Sequence, residues 1–115
     1  MTDPDDSVRQ ATRDIADVPA AEVITTTAVH LMSAAAVKCG LAEEGPATQD
    51  LAEARALIEA LAGLVMASEH YVGNMHFWSL RDGLRTLQLA FREASAIPDA
   101  PGAGPGERLT GPVRA

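Results

Sequence analysis

The sequence predicts an all-α fold, a three-helix domain made of a helical hairpin and a third helix, on three observations. Residues 18–41 form one long stretch that is apolar on nearly every side. Residues 50–68 and 79–95 carry apolar side chains at spacings of three and four, the helical period rather than the strand period. Breakers separate these stretches: Gly45-Pro46, Gly73-Asn74 and, after the last, Pro98. The division that follows is an acidic disordered arm at 1–16, the three-helix domain at 17–97 and a disordered Pro/Gly-rich tail at 98–115.

The arm, MTDPDDSVRQATRDIA, is polar with scattered apolar residues, and a frayed turn near Arg9 to Ile15 is the most order it suggests. The first helix then spans about 18–40. Pro19 suits a first turn, where a missing N–H costs nothing. Asp17 and Glu22 place negative charge at the positive end of the dipole, with Lys38 at the other end and Gly40 as the stop. Ile24, Ala28, Leu31, Ala35 and Cys39 share a face with Met32 at its edge, while Val23, Val29 and Val37 lie on others. A helix apolar all round is interior or membrane-spanning.

Roughly 20 apolar residues suffice for a span. This stretch, however, contains Glu22, Thr25 to Thr27, His30 and Ser33, and lacks flanking Lys/Arg and an aromatic belt. The interior reading is therefore preferred to a membrane one. Met1 to Asp17 is acidic, which does not fit a signal peptide. The single cysteine, Cys39, cannot form an internal disulfide and reads as a small buried hydrophobe, consistent with a cytoplasmic protein.

The second helix spans about 50–68. Asp50 is its N-cap, Glu53 completes a capping-box-like pair, and Leu51, Ala54, Leu57, Ile58, Leu61, Leu64 and Val65 make one apolar face. A short connector should fold helices one and two into a hairpin. EHYVGNMHF, residues 69–77, reads as the next break, and Ser79 as the cap of a third helix over 79–95. Leu80, Leu84, Leu87 and Phe91 line that helix, with Arg81, Arg85 and Arg92 in a second row beside them. The tail holds Leu109 and Val113 as its large apolar residues, too few to offset its ordering entropy; the alternative to disorder is a short recognition arm using Leu109, Val113 and Arg114.

With these residues in place the chain resembles a bacterial family of small helical proteins, the domain of unknown function 1844. The resemblance rests on Cys39-Gly40-Leu41 closing an apolar first helix, on the pattern from Ala54 to Leu61 in the second, and on the leucine- and arginine-bearing third helix from Leu80 to Phe91. The proline-rich tail looks like the version found in high-GC, actinobacterial members. The resemblance implies a helical fold and no activity. EHYVGNMHFWS departs from the polar acidic turn that many relatives carry, so the likeness implies no role for His70 or His76.

Net charge is −7, which argues against broad affinity for nucleic acid. No nucleophile, phosphate-loop, dinucleotide or zinc motif occurs, and the spacing of His70 and His76 does not match a zinc pair. His30 reads as a core-edge histidine with a hydrogen-bonded neighbour. Catalytic residues, cofactors and metal ligands are therefore not assigned. The leading expectation is a non-catalytic interaction protein that self-associates, with Val23, Val29 and Val37 as the dimer surface. The second is an RNA- or ribosome-associated accessory protein using Arg81, Arg85 and Arg92; a small-molecule or metal enzyme is the third. The alternative role for those arginines is structural, through salt bridges to Glu53, Glu59 or Glu93 or by covering the apolar stripe beside them.

Overall fold

The computed structural model of the chain describes residues 5–9 and 16–114. Among these the structure is all-helical, without strands, and three long helices dominate it. They are α1 (Ala20–Lys38), α2 (Leu51–Ala67) and α4 (Asn74–Ala94). A 3₁₀ turn (Gly45–Thr48) and two one-turn helices, α3 (Glu69–Val72) and α5 (Glu107–Thr110), complete the set. Most of the predicted disordered arm lies outside the described residues. Residues 5–9 are helical and exposed, with Arg9 Nη1 3.2 Å from Asp6 Oδ1.

The hairpin of α1 and α2 is closed by hydrogen bonds that account for every carbonyl at the end of α1. Gly40 takes φ +85°, the left-handed cap that glycine reaches without a Cβ penalty. Its N–H donates to Val37 O (3.0 Å), and the Leu41 N–H donates to Ala36 O (3.0 Å), a six-to-one Schellman closure. Cys39 N–H takes Ala35 O, Asp50 N–H reaches Lys38 O at 2.8 Å, and Gln49 Nε2 donates to Cys39 O at 3.2 Å. The connector thus ties the first helix to the start of the second. Asp50 caps α2, its side chain accepting from the Glu53 N–H at 3.2 Å.

The core lies where the three long helices meet. Ile58, Leu61, Leu84 and Val65 are its largest fully buried side chains. Leu87 and Phe91 are buried with them, and Ile24, Leu31, Leu57 and Leu64 pack on its edge. Only small residues of α1, Ala28 and Ala35, reach zero exposure. The thioether end of Met32 from α1 fills the space beside Gly83 of α4: a Cβ there would lie 2.9 Å from both its Sδ and its Cε. Cys39 is buried, and desolvation pushes its thiol pKa up, so it holds little thiolate at neutral pH.

Two sequence expectations are corrected. The third helix starts at Asn74, not near Ser79, and the stretch before it is the helical turn α3. The break is confined to Gly73, at φ +84° and ψ 154°. Phe77, only 2% exposed, belongs to the core, and burying it requires the helix to begin earlier. Ser79 is consequently a mid-helix residue that caps nothing.

The second correction is larger. The tail predicted to be disordered, residues 98–115, folds back over α2 and α4 through its described residues, 98–114. Gly104, Pro105, Gly106 and Glu107 are buried. Ala100 to Ala103 form a turn closed by Ala103 N–H to Ala100 O (2.9 Å), with Pro101 and Gly102 (φ +84°) at the central positions that suit a type II turn. Glu107 then accepts from the Gly102 N–H at 2.9 Å. Composition misleads here because this segment docks through its backbone. Its carbonyls find donors on α4, and its glycines let main chain approach where a side chain would not fit.

Candidate functional site

The residues that receive the tail form one row on α4. Trp78, Arg81, Arg85, Gln88 and Arg92 follow one another at steps of three, four, three and four, which keeps them on one helical stripe. Sequence reasoning identified the arginines and missed Trp78 and Gln88, although the same periodicity contains them.

Each polar member of the row donates to tail backbone. Arg92 Nη1 donates to Asp99 O at 3.0 Å. Gln88, 4% exposed, donates through Nε2 to Pro105 O at 3.0 Å and to Thr110 Oγ1 at 3.1 Å. Arg81 Nη2 makes a long 3.5 Å contact to Thr110 O, and Arg85 Nη2 donates to Arg114 O. The structural alternative for the arginines therefore takes a different form from the one expected. The ion pair found between helix and tail is Arg55 to Asp99, with Arg55 Nη2 2.9 and 3.0 Å from the two carboxylate oxygens. Arg55 also stacks its guanidinium 4.9 Å from the Phe91 ring centroid. With both partners partly solvated, that pair contributes only about 0–1 kcal/mol.

At the Trp78 end the row opens into a cleft of about 220 Å³ between α4 and the last described residues, lined by Trp78, Arg81, Arg85, Gln88, Pro112 and Val113 among others. Trp78 is 59% exposed, and its ring meets Phe77 edge-on at 5.3 Å. The cleft therefore offers an aromatic face beside two guanidinium groups.

The other sequence-derived surface, on α1, stays uncovered in the single chain: Val23, Val29 and Val37 are 43%, 51% and 36% exposed. His30 lies among them rather than at a core edge, because α2 and α4 cover only the opposite side of the helix. His70 and His76 are exposed as well. Among the described residues, no three His, Cys, Asp or Glu side chains gather where they could hold a metal ion.

Replacing Arg81, Arg85 and Arg92 together with glutamine should loosen residues 98–114 while leaving the three long helices intact. Each lost bond is expected to cost about 0.5–1.5 kcal/mol. Limited proteolysis reads the outcome: cleavage should move into the tail at unchanged far-UV dichroism. Unchanged tail protection would mean that these bonds do not hold it.

A family model described as "Domain of unknown function (DUF1844)" matches residues 20–93, more than half of the chain. No curated protein and no solved structure matches the chain.

Proposed function

The chain belongs to the DUF1844 family, and we propose that it is a non-catalytic interaction protein that self-associates through the outward face of α1. The observation that carries this is the chemistry of that face. Val23, Thr26, Val29, His30, Ser33 and Val37 lie together on the exposed side, with Glu22 in the first turn as the one acidic residue on that stripe. The Thr27 hydroxyl donates to Val23 O at 2.7 Å and the Ser33 hydroxyl to Val29 O at 3.1 Å. With these two hydroxyls bonded within their own helix, drying the face strands neither of them, and Thr26 and His30 are the polar side chains that would take partners across the contact.

The occupant this favours is a second copy. Beyond Glu22 in its first turn the face carries no Asp, Glu, Lys or Arg, so it can meet itself in an isologous two-fold contact if the first turns are kept apart, as an antiparallel pairing does. Ser33 and Ala34 keep part of it low, so a second helix could approach closely. The ordered helices also form a small domain, a size at which one core seldom supplies ample stability. The arginine row, the alternative working surface for RNA, uses part of its donors on the tail. Helix α1 is long and apolar enough to cross a membrane by length and composition alone. Its inner side nevertheless packs on the core through Ala28 and Ala35.

Sedimentation equilibrium at micromolar concentration tests the proposal. The full chain should give twice its 12.0 kDa mass. Val29→Glu should return it to the single-chain mass without loss of helicity, because an isolated charge at a dry interface is strongly disfavoured. A strictly single-chain mass for the unaltered protein would overturn the dimer. Flotation of the protein with liposomes would assign the face to a membrane instead.

A further inference from the structure

The α4 row poses a question separate from the α1 face. Its C-terminal half is filled by the buried turn of the tail, held by Gln88, Arg92 and the close approach of Gly106 to α2. Its N-terminal half is different. There Gly111 to Val113 run without helical structure along the rim of the open cleft, Pro112 exposed and Val113 half-buried, and the exposed Arg114 follows them. From α4 one bond holds this last stretch, Arg85 to Arg114 O, and just before it Arg81 makes the long contact to Thr110 O at the end of α5; both acceptors are main-chain carbonyls. The groove thus grips backbone, which any peptide possesses, next to an exposed indole.

We propose that the cleft between Trp78, Arg81 and Arg85 is a peptide-binding groove for an extended, proline-containing segment of a partner protein, and that residues 111–114 are its resident occupant. The chemistry follows from what sits there. Proline lacks an N–H and holds an extended backbone at low entropic cost, so its carbonyls stand out toward donors while its ring presents an apolar face. An aromatic residue beside hydrogen-bond donors is the arrangement that reads such segments. Arg81 and Arg85, one turn apart, supply donors to carbonyls of the bound chain, and Trp78 supplies the flat apolar wall for the proline ring. The chain's own Gly111-Pro112-Val113-Arg114 lies beside these groups, takes the Arg85 donor at Arg114 O, and competes for the groove at the high effective concentration of a tethered segment.

Trp78 is the only tryptophan in the chain, so its emission reports on the groove directly. The test titrates an acetylated, amidated peptide, Thr-Gly-Pro-Val-Arg, into the full-length protein and into a full-length variant whose strap is weakened by Pro112→Gly and Val113→Asp. The variant should show a saturable change in Trp78 emission at a peptide concentration at least roughly tenfold below that needed by the unaltered chain. Adding Arg81→Gln and Arg85→Gln should raise the half-saturating concentration by roughly tenfold or more. A peptide with glycine in place of proline should bind correspondingly more weakly.

No saturable change up to millimolar peptide in the folded variant would overturn the proposal. So would an equal response to the glycine peptide, or a response to single-stranded RNA but not to peptide. An emission change that follows protein concentration without peptide would assign the groove to a second copy's tail and also overturn it. Should the strap variant lose helicity, millimolar peptide added to the unaltered chain decides the matter: a saturable change in Trp78 emission supports the groove, and its absence overturns it.

Discussion

Leu61→Ala should destabilise the protein by about 2–5 kcal/mol, the range for emptying a fully buried leucine site. Leu61 has no exposed surface and lies in the same cluster as Ile58, Val65 and Leu84. Removing its isobutyl group forfeits both the transfer energy of the lost carbons and the contacts around the cavity. The cavity cannot collapse readily, because α2 is fixed by its Asp50 cap at one end and by the Ser68 hydroxyl bond to Leu64 O at the other. Leu57, half-buried at the edge of the same cluster, should cost less on the same substitution. Urea unfolding followed by far-UV dichroism measures the difference, with a lower midpoint at constant slope as the expected form. A loss below about 0.5 kcal/mol at Leu61 would show that this face is not core.

Gly106→Ala should free the tail. Gly106 sits at φ +76°, where an L side chain is strained by roughly 1–2 kcal/mol. Its added Cβ would stand 2.7 Å from the Ala62 Cβ, fixed on a helix that cannot swing away, and 3.1 Å from Gln88 Nε2. Overpacking of this kind costs about 1–3 kcal/mol. The tail can escape by lifting off, so the loss is capped at the free energy of its docking. The signature is rapid amide exchange across residues 98–114 with the long helices still protected. Adding Ala62→Gly should relieve the steric share and leave the conformational share, a separation that a double-mutant cycle reads directly. Equal tail protection in Gly106→Ala would contradict the close approach.

The long helices were legible because their signals are local and periodic. Asp50 announces a helix start by its own side-chain chemistry, Gly40 announces a stop, and the leucines of α2 mark one face. The start of α4 was not legible: Gly73 and Asn74 give a turn signal, and only the burial of Phe77, a tertiary fact, extends the helix back to Asn74. The tail was misread for a related reason. Composition weighs apolar side chains, whereas this segment is held by carbonyls bonded to arginines and by glycine backbone lying on Ala62. The arginine row was legible as a pattern, but its acceptors were not, since they come from residues 7 to 29 positions away and offer main-chain oxygen rather than carboxylate. Trp78 and Gln88 belong to the same periodic row, which a reading confined to charged residues did not include.

The proposal that α1 meets a second α1 is tested most directly by cysteine cross-linking at the centre of its exposed face. Ser33→Cys is placed there, while the native Cys39 is buried and out of reach. Glu93→Cys, on the exposed part of α4, is the control. Under mild oxidation at micromolar concentration, Ser33→Cys should yield disulfide-linked dimers quickly, and Val29→Glu in the same chain should suppress them to the level of Glu93→Cys. Cross-linking no faster than at Glu93 from Ser33→Cys and equally from Thr26→Cys and His30→Cys, which sample the other places where a two-fold axis can cross the face, would rule out pairing through this face.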